Sequence, residues 1–200
     1  AAEQPAYASL LGMLLAVSER GTRAVRGVDF GGGTGSGYRH AKESVPGLKV
    51  DYHVVEMPNV CEAGSRMFTG DRAIHFHSEM PAVPELDVAH FGSSIQYVRD
   101  WKGLLQQVAR LNPKYILFSD LAAGDNPTYA SAQTYYESRI PVWFFNFAEF
   151  SGFLDSLGFG LRFRVRADTS YFGEKRECPQ DNFPPEYRLG YPSHALFARD

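Results

Sequence analysis

The spacing of apolar and polar positions changes several times along this chain, and each change marks an element. Tyr7–Arg20 is apolar at helical spacing, and Gly21 offers a C-cap. Val25–Phe30 reads as a short strand that runs into a glycine-rich loop. Ser36–Ser44 reads as a helix, Leu48–Glu56 as a second strand, and Pro58 suits the first turn of a helix reaching Phe68. Ala73–His77 and Glu85–Phe91 are a third and a fourth strand. Asp100 is a good N-cap for a helix over Trp101–Leu111. Lys114–Asp120 is apolar and β-branched enough to be a central fifth strand. Strands alternating with helices imply a parallel sheet covered on both faces.

Beyond residue 120 the pattern changes. Leu121–Trp143 lacks clear periodicity and predicts a long loop, a kind of segment that is usually functional. Its aromatics, continuing through Phe145, argue against disorder. Asn146 predicts an N-cap with Glu149 completing a capping box, and Gly158 ends that helix. Leu161, Phe163, Val165 and Ala167 then alternate with Arg162, Arg164 and Arg166. That predicts a strand with its apolar side buried and its arginines solvated. His194–Asp200 is the last strand and would pair with it antiparallel. The expected fold is α/β: a doubly wound, Rossmann-like, seven-stranded sheet, mostly parallel with one antiparallel strand. It forms one domain, with an N-terminal helix in residues 1–24, an aromatic lid or acceptor segment in 121–145 and a terminal strand pair in 159–200.

Composition narrows the classes. A net charge of −3 over 200 residues gives no electrostatic case for nucleic acid. Neither of the two cysteines, Cys61 and Cys178, sits in a CxxC motif, so both read as free thiols in a reducing, cytoplasmic setting, with a disulfide between them as the alternative. No apolar run is long enough to span a bilayer. "LLGMLLAV" (Leu10–Val17) has no basic segment before it and reads as a core-facing helix rather than a leader. The opening Ala1, where a Met would be usual, implies a trimmed start.

The candidate chemistry starts at "VDFGGGTGSGY", Val28 to Tyr38. A P-loop needs GxxxxGK[ST], and no Lys-Ser/Thr follows. A dinucleotide fingerprint needs GxGxxG, but the third glycine position is Ser36 in one register and Tyr38 in the other. What fits is GxGxG at Gly31, Gly33 and Gly35, with Asp29 just before it. That arrangement is similar to motif I of class I S-adenosylmethionine-dependent methyltransferases. Glycines let the backbone approach a ligand closely. Asp29 can accept a hydrogen bond from an ammonium group or an ordered water, and the next helix N-terminus favours a carboxylate. At the end of the second strand Glu56 is placed to bind a ribose. Its spacing from Gly31 is a little longer than the usual ~20 residues, and "SVPGLKVD" accounts for the difference.

The resemblance then becomes closer. "VDFGGGTGSGY", "YHVVEMPNVCEAG", "DVAHFGSSIQYV", "NPKYILFSD" and "IPVWFFNFAEFSGFLDSLGF" occur in order. Together they resemble a family of class I methyltransferases described from surface-polysaccharide gene clusters of bacteria. The likeness covers about residues 25 to 165 and the terminal strand pair. "SDLAAGDNPTYA" departs from a more basic stretch expected there, which bears on the acceptor contacts. The resemblance implies S-adenosyl-L-methionine as cofactor and methyl transfer to a small or saccharide-linked acceptor. It adds Gly32 and Met57 to the cofactor loop, places His77 and Ser78 at the adenine edge, and sets Ser93 and Ser94 beside the transferring methyl. Gln96, Tyr97, Tyr135 and Trp143 are then acceptor candidates. Asp120 and His90 are candidate general bases, although His90 also reads as a satisfied core histidine and Asp120 as a turn cap. His75 and His77 share a strand face, but no carboxylate or cysteine at ligand spacing supports a metal. Two rival readings stand beside this one: a NAD-dependent oxidoreductase, which the failed fingerprint disfavours, and a non-catalytic cofactor-binding or fold-only partner domain.

Overall fold

The computed structural model describes residues 11–12, 14–17, 23–135, 137–168, 170–171 and 174–199. The chain falls into two compact units. One comprises Ala1–Gly92 and Val108–Leu117, the other Ser93–Gln107 and Phe118–Asp200. Among the described residues no helix is long and apolar enough to cross a membrane.

The first unit carries the expected alternation. Its strands are β1 (Val25–Phe30), β2 (Val50–Val55), β3 (Ile74–His77) and β4 (Val88–Gly92). Helix α1 (Ser36–Ser44) joins β1 to β2, and α2 (Pro58–Met67) joins β2 to β3. The pairs β1–β2, β1–β4 and β2–β3 are all parallel. Val28, Tyr52, Val54, Val88, Ala89 and Phe91 are buried, as near-continuous apolar runs in a two-faced parallel sheet must be. Residues 11–12 and 14–17 are helical, with Leu11, Leu14 and Leu15 buried. The rest of the helix expected over Tyr7–Arg20 lies outside the described residues.

The second unit departs from expectation in three places. Helix α3 (Trp101–Arg110) begins as read, with Asp100 Oδ1 accepting the Gly103 amide at 2.9 Å. It is followed by β5 (Tyr115–Leu121) and the short β6 (Ala123–Gly124). The segment expected to be an aperiodic loop is instead a hairpin of β7 (Tyr129–Tyr135) and β8 (Ser138–Asn146), and β8 also pairs with β6. The sequence Tyr-Ala-Ser-Ala-Gln-Thr-Tyr in β7 has few apolar residues, so its strand character comes from the partner strand rather than its own periodicity.

Helix α4 (Phe147–Ser156) starts at Asn146, whose Oδ1 accepts the Glu149 amide at 3.1 Å. The Glu149 side chain does not close the predicted box: it accepts the Thr128 hydroxyl, and Thr128 Oγ1 accepts the Asn146 amide. A residue from the preceding segment thus does the work assigned to Glu149.

The third departure is the strand β9 (Phe159–Arg166), which pairs antiparallel with β12 (Ser193–Arg199). The side expected to be buried is partly open: Phe159 and Ala167 are buried and Phe163 is half-buried, but Leu161 is 40% and Val165 50% exposed. Arg162, Arg164 and Arg166 are exposed, as expected. Arg164 still lies 3.9 Å from the Phe147 ring centre and donates to Ser193 Oγ, and Arg166 covers the Tyr191 ring. A period of two shows that the faces differ, not how fully either is covered, and arginine stems pack on aromatic rings while their charged ends stay in water. Two-residue strands β10 (Ser170–Tyr171) and β11 (Glu174–Lys175) form a separate ribbon. The aromatic surplus builds this unit's core: Trp101 packs on Phe145 and Phe150, and Phe118 on Phe150 and Phe197.

The main sheet runs β3-β2-β1-β4-β5-β12-β9. This is the seven-stranded, mostly parallel sheet with one antiparallel strand that the pattern predicted.

Candidate active site

In the first unit the site is built around Asp29, near the end of β1. Asp29 is 2% exposed. Its Oδ2 accepts the Tyr52 hydroxyl at 2.7 Å, and its Oδ1 lies 2.8 Å from His90 Nδ1. A carboxylate can only accept, so it holds the His90 proton on Nδ1. A Cβ on Gly32 or Gly37 would lie 2.6 or 2.7 Å from Asp29 Oδ2. These two glycines therefore make room for the aspartate. The reading that set Asp29 against a ligand and made His90 a base meets a correction here: both are turned inward, and each satisfies the other. Burying a carboxylate requires such partners on both oxygens.

The loop above Asp29 is different. Gly31, Gly33 and Gly35 have φ of 71°, 59° and 91°, left-handed values that glycine adopts without strain. A Cβ on Gly33 would meet nothing within 4 Å, so the chain's own packing does not require a bare backbone there. Glu56, half-buried just after β2, bends toward the loop: its Oε1 accepts the Gly33 amide at 3.3 Å and its Oε2 the Met57 amide at 2.8 Å. Met57 is 63% exposed beside it. Helix α1 starts at Gly35 with no side-chain cap and no acidic residue in its first turn. The amides at such a helix start suit a carboxylate.

His77 closes β3, and exposed Ser78 follows it. The sequence paired His77 with His75 alone, whereas β2 brings His53 to the same face. The His53 ring stacks on His75 and His77 at 5.0 and 5.1 Å, and His53 Nδ1 lies 2.9 Å from His77 Nε2. Asp51 Oδ1 is 3.2 Å from the Nε2 of both His53 and His75. The signal was available as period-two histidines on adjacent strands. Burial lowers the pKa of His53 and His77, and their imidazole neighbours lower both further, while Asp51 opposes the shift. Among the described residues no group of three or more His, Cys, Asp or Glu is arranged to hold a metal. Cys61 and Cys178 form no disulfide among the described residues, and Cys61 Sγ donates to the Glu56 and His77 carbonyls.

In the second unit the site residues gather at Asp120. Asp120 and Ser93 have φ of 55° and 52°. Left-handed backbone costs a non-glycine residue about 1–2 kcal/mol, so each must be held. The Ser93 amide donates to the Ser119 carbonyl at 2.8 Å, and its hydroxyl donates to Asp120 Oδ2. Gln96 is 5% exposed and donates from Nε2 to the Asp120 carbonyl at 3.3 Å. The Asp120 amide donates to His194 Nδ1 at 3.2 Å. Asp120 is thus held by amide, carbonyl and carboxylate at once. Sequence reading reached Ser93, Gln96 and Asp120 but missed His194, which stands on the terminal strand β12 with no motif around it. Ser94 precedes a short 3-10 turn over Ile95–Tyr97.

The acceptor candidates are dispersed. Tyr97 is 43% exposed and donates to Gln133 Oε1 on β7 at 2.9 Å. Trp143, half-buried, stacks on Phe145 at 6.3 Å. Tyr135 ends β7, and its side chain lies outside the described residues, as does all of Tyr136. Val142, Phe144, Ala122 and Leu189 bury one another, with Tyr129 and Cys178 packed against them. Much of the aromatic run is therefore core.

This strand order, with the antiparallel strand next to the edge, is the class I methyltransferase fold. Solved structures agree. A Listeria monocytogenes protein, provisionally named an S-adenosylmethionine dependent methyltransferase, superposes with a TM-score of 0.66 at 12% identity over 98% of this chain and 99% of its own. The Burkholderia thailandensis 1,6-didemethyltoxoflavin-N1-methyltransferase, solved with 1,6-didemethyltoxoflavin and S-adenosylhomocysteine, gives 0.63 at 15% identity over 98% and 79%. An S-adenosylmethionine dependent methyltransferase from Mesorhizobium loti gives 0.60 at 14% over 92% and 95%. At these identities the likeness is one of fold. No protein-family model matches the chain, and no curated protein does.

Proposed function

We propose that the protein is an S-adenosylmethionine-dependent methyltransferase that acts on a small or saccharide-linked acceptor. The observation that carries this reading is the Gly33 cradle: a bare, left-handed backbone with open space where a Cβ would stand, beside the uncapped start of α1 and the bent Glu56 carboxylate. Sheet packing alone requires none of these three. The first amides of α1 take the cofactor's carboxylate, and Gly31, Gly32, Gly33 and Gly35 leave room for its backbone-hugging approach. Glu56 and Met57 serve the ribose, and His77 and Ser78 the adenine edge. Ser93 and Ser94 complete the cofactor set. Asp29 and His90 hold the loop from beneath.

When bound, S-adenosylmethionine supplies a sulfonium-activated methyl: the acceptor's lone pair forms the new bond as the C–S bond breaks, with its electron pair staying on sulfur. A hydroxyl acceptor must shed its proton, and Asp120 receives it. Gln96, Tyr97, Tyr135 and Trp143 orient the acceptor. The rest of the rate comes from positioning. A reducing, cytoplasmic setting suits two cysteines that form no disulfide.

Calorimetry tests this. S-adenosylhomocysteine should bind with a micromolar dissociation constant and NAD should not bind. Absence of S-adenosylhomocysteine binding overturns the reading. Binding without transfer of labelled methyl to any extracted saccharide intermediate would favour a non-catalytic partner domain.

A further inference from the structure

We propose that His194 is a positioning residue for Asp120: by accepting the Asp120 amide on Nδ1, it holds the left-handed backbone that keeps the Asp120 carboxylate on the Ser93 hydroxyl. The inference rests on the methyltransferase reading for its purpose, but not for its test. Three observations carry it. Asp120 has a φ of 55°, a left-handed value uncommon for a residue other than glycine. Each of its polar groups is gripped by a different residue: the carboxylate by Ser93, the carbonyl by Gln96 and the amide by His194. Ser93, the carboxylate's partner, is itself left-handed, at a φ of 52°. A strained pair held from several sides marks a site where geometry matters more than stability.

The three grips are not equivalent. Ser93 and Gln96 follow β4, within four residues of one another. His194 comes from β12, 74 residues beyond Asp120 in the chain. It adds a side-chain tie between Asp120 and the terminal strand, which also neighbours β5 in the sheet. To accept the Asp120 amide, His194 must keep Nδ1 unprotonated, so the imidazole proton belongs on Nε2. The terminal strand pair thus contributes one oriented lone pair to the site in addition to sheet edge. Gln96 Oε1, beside the donating Nε2, is buried with no hydrogen-bond partner among the described residues.

The test replaces the Nδ1 acceptor and restores it. In His194→Asn the amide oxygen falls near the place of Nδ1; in His194→Gln it does not. The Asp120 carboxylate and backbone are followed by carbon-13 NMR chemical shifts of the full chain at neutral pH. In His194→Gln the Asp120 carboxyl and Cα resonances should move away from their wild-type positions, as the backbone leaves the left-handed region and the carboxylate leaves the Ser93 hydroxyl. In His194→Asn they should stay with the wild type. Nitrogen-15 NMR of the wild type should show His194 protonated on Nε2. If the Gln variant keeps the wild-type shifts, or the Asn variant moves as far as the Gln variant, the proposal is overturned. S-adenosylhomocysteine affinity is measured in parallel. Its absence in the wild type would remove the methyltransferase reading and leave the positioning result to stand or fall on the carbon-13 shifts.

Discussion

Asp29 and Asp120 sit among the same three chemical groups. Each is an aspartate whose carboxylate meets one hydroxyl and which also meets one histidine Nδ1: Tyr52 and His90 for Asp29, Ser93 and His194 for Asp120. Their surroundings separate them. Asp29 is 2% exposed, keeps ordinary strand backbone and spends both oxygens on buried partners. Asp120 is half-buried and left-handed, and its histidine binds the amide rather than the carboxylate. The comparison teaches that identity of groups does not define a site. A fully buried, doubly satisfied carboxylate is architecture, whereas a strained, partly open one is available for chemistry.

The largest effect should come from breaking the buried member. Asp29→Ala leaves the Tyr52 hydroxyl and His90 unpaired in the core and should cost about 3 kcal/mol or more in urea unfolding. Asp120→Asn should cost less than about 1 kcal/mol, yet it should abolish transfer of labelled methyl to whatever hydroxyl acceptor a screen reveals. Equal losses of stability in the two variants would erase the distinction.

Next in size is a test of the glycines that serve Asp29. Gly37→Ala puts a Cβ 2.7 Å from Asp29 Oδ2 and 2.8 Å from the Tyr52 hydroxyl. It should destabilise by roughly 1–3 kcal/mol, read from the same denaturation curve. Gly33→Ala meets no such neighbour, so its cost is limited to backbone strain of about 1–2 kcal/mol, while its effect on S-adenosylhomocysteine affinity should exceed that of Gly37→Ala. The reverse order would move the ligand away from Gly33.

Glu56→Ala should then weaken S-adenosylhomocysteine about tenfold, the order expected for one charge-assisted hydrogen bond, with an unchanged unfolding midpoint. An unchanged affinity would return Glu56 to a surface carboxylate that merely caps the Gly33 and Met57 amides.

The smallest effect concerns pH. His53 and His77 have pKa values held below the ordinary one by burial first and then by neighbouring imidazoles, against the pull of Asp51. The unfolded chain therefore takes up protons first as the pH falls through about 6.5, so stability is full above that value and declines below it. Melting temperature should drop by roughly 2–4 °C per kcal/mol lost between pH 7.5 and 5, and His77→Asn should flatten the decline. Burial raises the Asp87 carboxyl, but hydrogen bonds from Arg23, the Arg26 amide and Lys114 outweigh this and leave it below the ordinary range. Its contribution is lost only at lower pH, outside this window. A melting temperature flat from pH 7.5 to 5 would count against the stacked histidines.

Most of the first unit was legible because its signals are local. The β1 and α1 boundaries follow from apolar runs broken by glycine, and Gly31, Gly33 and Gly35 announce their turn through spacing alone. The second unit was harder to read for a physical reason. β7 is a strand because β8 pairs with it, and Thr128 rather than Glu149 completes the start of α4. Neither partner is visible in a window of neighbouring residues.

By itself, then, the sequence determined the alternating α/β plan, the glycine loop, Glu56 at the end of β2 and the antiparallel ending, because backbone periodicity and turn chemistry act over a few residues. Only the tertiary structure decided that Asp29 and His90 face inward, that Arg164 and Arg166 of β9 rest on aromatic rings and that His194 reaches Asp120. Those outcomes depend on burial and on hydrogen bonds between residues 61 and 74 positions apart, and separations of that size leave no local pattern in the chain.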